Sequence, residues 1–263
     1  MFKFCNLYSG SSGNCSFVGT SEVNILIDCG ESQKKIINAL ESIGQNISNI
    51  NAIIVTHEHS DHVKTLGAIS KKYNIPVYAN EKTFNNMPEQ TQLINEENRK
   101  IFNTDDHFEI GDLKIHPFHI PHDAADPCGY NIYNNDNKIS VATDIGHMDN
   151  NILKKLEDSK FLLLESNYEP EILKYAKYPY YLKRRISGPN GHLSNQEAGD
   201  TIVKLLYSGV NNIMLGHLSK QTNFPELAYK TVMDEIIHNK VNNNNLVLNV
   251  ASRIKPSNII EIA

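Results

Sequence analysis

The segment THEHSDHV sets His57, His59, Asp61 and His62 within six consecutive positions. Imidazole and carboxylate are donors that suit zinc, manganese or iron. The cluster stands directly after NAIIVT, residues 51 to 56, a β-branched apolar run that reads as a strand buried on both faces. So many polar groups beside an apolar run need a compensating partner, and a cation supplies one. Four donors do not close two metal sites, so more are expected at other strand ends. His122 follows KIHPFHI, Asp144 ends ISVATD and His217 ends NIMLGH. His116 and His119 compete for the third histidine role, but they lie inside the predicted strand whereas His122 begins the loop, so His122 is preferred. Side chains leaving strands at a common sheet edge converge on one pocket.

The elements that must position these residues start as strands: FKFCNLY, then a SGSSGN loop, then CSFVG and NILIDCG. Ser32 to Ile43 places Ile36, Ile37, Leu40 and Ile43 at helical spacing, and Gly44 closes that helix. PVYA, RKIF, FEIGDLKIHPFHI, YNIYN, KISVATD, FLLLES, NIMLGH and LVLNVA read as further strands. Helical patterns fall at about 149–158, 195–208 and 225–238. The mixture fits an α/β fold of two face-to-face sheets with helices outside, an αββα four-layer sandwich, better than a doubly wound parallel sheet. GSSG leads into a strand rather than a helix, which removes the context of a phosphate-cradling loop. One domain over residues 1–263 is expected, with no internal repeat and no linker. Asn242 to Asn245 read as a solvated turn.

With 263 residues, 40% hydrophobic and 21% charged, the composition is that of a folded protein rather than a disordered one. No charged-then-apolar leader and no bilayer-length apolar run are visible, so a cytoplasmic protein without a membrane partner is expected. Cys5, Cys15, Cys29 and Cys128 form no CxxC pair and read as buried thiols. A net charge of −5 argues against a global positive field for nucleic acid but leaves room for a local basic face. KYAKYPYYLKRR, residues 174 to 185, offers one: Lys183, Arg184 and Arg185 stand beside Tyr180 and Tyr181, so cations can meet phosphates while tyrosine faces stack on bases. The alternative is an ordinary amphipathic surface segment.

HxHxDH, a histidine 60 positions after His62, an aspartate 22 later and a terminal strand-end histidine together resemble the metallo-β-lactamase superfamily. Within it, SGSSGNCS, THEHSDHV, PHDAADPCGY, TDIG, LESN, GHLSN and LGHLSK resemble the bacterial YycJ/WalJ group, regarded as cytosolic DNA exonucleases acting from the 5′ end. The resemblance implies His57, His59 and His122 on a first metal, Asp61, His62 and His217 on a second, and Asp144 as the bridge. It implies two divalent ions, zinc, manganese or iron; with the glycine fingerprint of a dinucleotide-binding turn missing, no organic cofactor is expected. Paired cations lower the pKa of bound water and make a hydroxide nucleophile at neutral pH.

His192, in SGPNGHLSNQEAGD, precedes a helix for which Ser194 and Glu197 form a capping box. Its placement is similar to the histidine motif of tRNA 3′-processing nucleases in the superfamily, which implies a general acid or a donor to the charge developing on phosphorus. The alternative is a loop histidine stabilising its own turn. Asp61, Asp144 and His192 are thus the expected catalytic residues. Asn14, Lys183, Arg184 and Arg185 are the expected substrate contacts, with Asn14 and the SGSSGN backbone at the pocket rim weighed against a plain turn.

The expected activity is dinuclear metal-dependent phosphodiester hydrolysis, as a 5′→3′ DNA exonuclease with DNA as partner. One rival is hydrolysis of a small phosphodiester or thioester. A rival of another class is a non-catalytic, metal-stabilised regulatory or binding protein. Only 48 positions separate Asp144 from His192, too few for the large inserted cap domain of the RNA-cleaving relatives.

Overall fold

Apolar side chains at alternate positions of a strand give it a buried face, and here most strands are buried on both. The computed structural model describes residues 1–89, 93–242 and 244–262. Among them, one sheet holds β1 (Phe2–Tyr8), β2 (Cys15–Gly19), β3 (Asn24–Ile27), β4 (Ala52–Ile54), β5 (Val77–Asn80), β6 (Arg99–Phe102) and the late strand β14 (Ile260–Ile262). The other holds β7 (Phe108–Ile110), β8 (Leu113–His119), β9 (Cys128–Asn134), β10 (Asn137–Ala142), β11 (Phe161–Glu165), β12 (Asn212–Gly216) and β13 (Val247–Val250). The orders are β14-β1-β2-β3-β4-β5-β6 and β13-β12-β11-β10-β9-β8-β7.

Phe4, Ile25, Ile54, Ile115, Tyr130, Val141, Phe161 and Leu163 fill the space between the sheets. Helices cover both outer faces. On the first, α1 (Gln33–Ser42) and α3 (Leu66–Tyr73), the latter following the short α2 (Ser60–Val63), bury Ile36, Leu40, Leu66 and Ile69. On the second, α5 (Asn150–Leu156), which follows the short α4 (Glu81–Asn86) in the chain, lies with α8 (Asn195–Leu206) and α9 (Pro225–His238). These bury Leu156, Ile202, Val232 and Ile236. The small helices α6 (Pro170–Tyr175) and α7 (Tyr180–Ile186) lie between β11 and α8 in the chain. The expected αββα layering is therefore present. No helix among the described residues is long and apolar enough to cross a membrane.

Each sheet runs through antiparallel pairings and then three parallel ones, β3/β4/β5/β6 and β10/β11/β12/β13. The two halves thus repeat a topology that the sequence does not display as a repeat. Parallel strands end level with one another, and that decides where functional side chains meet. Ile27 pairs with Ile54, Ala142 with Leu164 and Glu165 with Gly216, so the residues just after β3, β4, β10 and β12 leave at one edge, beside Glu165.

One expectation is corrected. FEIGDLKIHPFHI is not one strand: Gly111, at φ +56°, turns it into the hairpin β7–β8, with Ile110 opposite Leu113. Five further short helices, α2, α3, α4, α6 and α7, four to eight residues long, were not among the elements read from the sequence. Of the expected turn from Asn242 to Asn245, position 243 lies outside the described residues. The four cysteines are buried and free.

Candidate metal centre

Thr56 follows β4 and organises the first histidines. Its amide donates to Asp28 Oδ1 at 2.9 Å and its hydroxyl to Asp28 Oδ2 at 2.9 Å. With that one proton committed, the hydroxyl accepts from His57 Nδ1, 3.0 Å away, which leaves His57 Nε2 with its lone pair. Asp28 Oδ2 also takes His62 Nδ1 at 2.8 Å, so His62 too presents Nε2. The loop carrying these residues is braced by backbone bonds from Asn14 N to Asp61 O and from Cys29 N to His62 O, 2.8 and 2.7 Å long. The approach is so close at Gly30 that a Cβ there would lie 1.6 Å from Asp61 O.

The second sheet supplies the rest. His122 Nδ1 donates to the Gly191 carbonyl at 2.9 Å. His217 Nδ1 and His192 Nδ1 both donate to Glu165 Oε1, at 2.9 and 2.8 Å. The other oxygen of Glu165 accepts the amides of Ile145 and Leu193 at 2.7 and 3.1 Å. Asp28, Asp144 and His217 all hold left-handed backbone, φ +62°, +61° and +54°. Such strain outside glycine is tolerated where surrounding contacts over-determine it.

The structure therefore brings His57, His59, Asp61, His62, His122, Asp144, His192 and His217 around one space. Donor atoms of His57, His59 and His122 lie within 4.8 Å of one another, as do those of Asp61, His62 and His217, and those of His57, His62 and Asp144. Asp144, Glu165, His192 and His217 form a further such group. Nε2 of His57, His122 and His217 and Oδ2 of Asp144 are buried without a hydrogen-bond partner. Buried polar atoms are as a rule satisfied, and four orphans aimed at one another fit divalent cations.

The electrostatics agree. At His62 burial favours the neutral ring, yet Asp144, Asp28 and Asp61 outweigh it and hold the imidazole well above its usual range. His217 shows the same contest between burial and Asp144, Asp61 and Glu165, and is pushed up to about 10. At Asp144 burial favours the acid form, but His217 and His62 hold the carboxyl well below its usual range. Burial and the neighbouring His62 keep His57 well below the usual imidazole range. The carboxylates thus require positive charge, and a metal can supply it in place of ring protons.

The other expected residues fall at different distances from this space. Asn14 Oδ1 accepts the Gly10 amide at 2.9 Å, which turns its NH₂ onto His62 Nε2 at 3.0 Å and Asp61 Oδ2 at 3.4 Å. It sits among the donors rather than at a rim. Arg185 forms a two-pronged ion pair with Asp123, whose Oδ1 is 3.5 Å from His122 Nε2 and 3.9 Å from His59 Nε2. Lys183 is tied to the Lys174 carbonyl at 2.7 Å and Arg184 lies over the Tyr180 ring, partners outside the cluster. His116 and His119 stay on β8, the former beside Lys155 and the latter paired with Asp126. The capping box forms as read, with Ser194 N–H on Glu197 Oε2 and Glu197 N–H on Ser194 Oγ.

Asp28 and Glu165 were missed. Both end an apolar strand run, ILID and FLLLE, which is the signal that selected Asp144. Carboxylates that orient metal-binding imidazoles are worth roughly 10- to 100-fold in metal affinity. Asp28→Asn is expected to weaken metal binding by about that factor, read by competition with a chromogenic chelator. Unchanged affinity would mean that Thr56 alone orients the pair.

The chain matches the Beta-lactamase superfamily domain over residues 23–213. It is 38% identical over 229 residues to the exodeoxyribonuclease YycJ of Bacillus anthracis, covering 87% of each chain. It is 36% identical over 237 residues to the exodeoxyribonuclease WalJ of Streptococcus pneumoniae, covering 89% of this chain and 88% of that one. Among solved structures, the metallo-beta-lactamase fold protein YhfI from Bacillus subtilis superposes with a TM-score of 0.73 at 15% identity, over 98% of this chain and 99% of that one. Zn(2+)-bound PqqB from Methylobacterium extorquens does so with a TM-score of 0.73 at 12% identity, over 97% and 99%. These two likenesses establish the metallo-β-lactamase fold.

Proposed function

The chain belongs to the beta-lactamase superfamily, and from that premise we propose that it is a two-metal exodeoxyribonuclease that works from the 5′ end of DNA. The observation that carries the hydrolase reading is the convergence of four buried, partnerless donor atoms on one space. In this reading His57, His59 and His122 would hold one divalent ion and Asp61, His62 and His217 the other, with Asp144 available to both sets. Zinc, manganese and iron all suit these donors. When bound, such a pair supplies a hydroxide nucleophile at neutral pH and neutralises charge on the phosphate.

The chain's own residues do the remainder. His192 is only partly exposed, and Glu165 on its Nδ1 fixes the ring with Nε2 directed to the site; acting as general acid, the ring would be the imidazolium, and Nε2 would give the ring's second proton to the leaving oxygen. Asp61 would be a ligand beside His62 and His217, its Oδ2 lying 3.6 and 3.5 Å from their Nε2 atoms. Asn14 steadies Asp61 and His62 through its amide.

DNA as substrate is supported by the named relatives and by α7. That helix has no buried residue, and Tyr175, Tyr180 and Tyr181 beside it and on it are 77%, 75% and 73% exposed. Aromatic faces and cations in one segment suit stacked bases and backbone phosphates. Arg185 links it to the centre through Asp123. The double change Arg184→Glu and Arg185→Glu is expected to weaken DNA binding at least tenfold and to lower the salt slope by roughly 2, about 0.9 for each lost phosphate contact. An unchanged slope would remove α7 from the interface.

The deciding experiment follows release of nucleotides from linear duplex DNA labelled at the 5′ or the 3′ end, with manganese, zinc or iron and with a chelator. Metal-dependent release, with the 5′ label lost first, is expected. Absence of release with all three metals, while a chromogenic phosphodiester is turned over, would assign a small phosphodiester instead.

A further inference from the structure

Beyond the second metal's expected ligands lies a cavity of about 400 Å³ whose wall begins at Leu218, the residue after His217. Lys220, Phe224, Val250, Arg253 and Ile254 complete most of it. Its wall is joined to residues of the metal centre at two places in the backbone. One is the His217–Leu218 peptide. The other is Gly10, where a Cβ would lie 2.9 Å from Arg253 Nε, and whose amide is held by Asn14 beside His62.

The lining carries two cations and no carboxylate. Arg253 Nε and Nη2 donate to the Leu218 carbonyl at 3.2 and 2.6 Å. Among the described residues neither Arg253 nor Lys220 has an acidic partner, although Arg253 is half-buried and a guanidinium taken partly out of water ordinarily finds one. Flanking them, Phe224 and Ile254 are 49% and 85% exposed, an apolar surface beside the unpaired charge. A cation next to an exposed aromatic face is the chemistry of a phosphate joined to a base. The volume lies in the range of roughly 300–1,000 Å³ typical of small-ligand pockets, which suits one mononucleotide and excludes a duplex.

We propose that this cavity seats the terminal mononucleotide unit of a nucleic-acid strand, its phosphate against Arg253 and Lys220 and its base against Phe224 and Ile254. The proposal rests on the nuclease reading and deepens it. A seat of this size, next in the chain to His217, would favour a free strand end as substrate.

The test is calorimetric titration of the metal-loaded full chain with dTMP, with thymidine and inorganic phosphate as companions, on the wild type, Lys220→Glu and Phe224→Ala. Both replaced side chains are exposed, so circular dichroism should confirm an intact fold. Saturable dTMP binding, weakened at least tenfold by Lys220→Glu and severalfold by Phe224→Ala, with inorganic phosphate unaffected by the latter, is expected. No saturable dTMP binding, or equal affinity in all three proteins, overturns it. The two failures are separable. Loss of the cavity proposal leaves metal-dependent release from DNA intact, whereas failure of the nuclease reading abolishes that release and leaves Lys220-dependent dTMP binding.

Discussion

Asp144→Asn is expected to cut nucleotide release by roughly 10³-fold or more, about 4 kcal/mol of transition-state stabilisation, and to lower bound metal below two equivalents per chain. Asp144 is buried, with Oδ1 3.6 Å from His122 Nε2 and Oδ2 3.3 Å from His62 Nε2, so its two oxygens face the two expected ligand sets. Among the described residues no other carboxylate has oxygens this near histidines of both sets. Asparagine keeps the shape and tolerates the left-handed backbone at φ +61°, which alanine does less well, so the change isolates the charge. Metal content by mass spectrometry and release from labelled DNA are the two readouts. A fully active Asp144→Asn protein holding a single metal would sink the two-metal reading.

Glu165→Gln comes second, with an expected fall in kcat of about 10²- to 10³-fold and little change in KM. All four groups directed at this carboxylate are donors: two imidazole Nδ1 atoms and two backbone amides. A glutamine must turn its own NH₂ towards two of them, leaving buried donors facing a donor. The cost to folding is expected at roughly 3–5 kcal/mol, the range for breaking one side of a buried charged pair. Because Glu165 acts through His192 and His217, it is a positioning residue, and its loss should be non-additive with His192→Ala. Release rates of the single and double variants decide this. A double variant as slow as the product of the two single effects would mean that Glu165 and His192 act independently. Thermal melting separates the stability loss from the rate loss.

Much of the centre was legible because its strongest signal is local. THEHSDHV needs no tertiary information to be read as a ligand loop, since the strand before it and the short α2 inside it place those side chains together. His122, Asp144 and His217 could be nominated one at a time, because strand ends are recognisable by apolar runs that stop. Asp28 and Glu165 satisfy the same rule and were still passed over. A lone carboxylate after an apolar run carries no mark of whether it faces a cation or backs an imidazole. The break at Gly111 was hidden by alternation that continues through the turn, and α7 was hidden because a helix with no buried face has no period to show.

The sequence by itself determined the donor chemistry, the layered fold class and the basic-aromatic segment, all properties set by neighbouring residues and their periodicity. Only the tertiary structure decided which nitrogen each histidine presents. Those choices depend on partners far along the chain: Asp28 for His62, Gly191 for His122, and Glu165 for both His192 and His217. Ser9, 208 positions from His217, anchors that histidine's amide at 2.7 Å. Arg185 meeting Asp123, and Arg253 lying against Gly10 beside a cavity, are of the same kind. The physical reason is that hydrogen-bond direction and burial belong to pairs of groups, and such pairs exist only once segments far apart in the chain have been brought together.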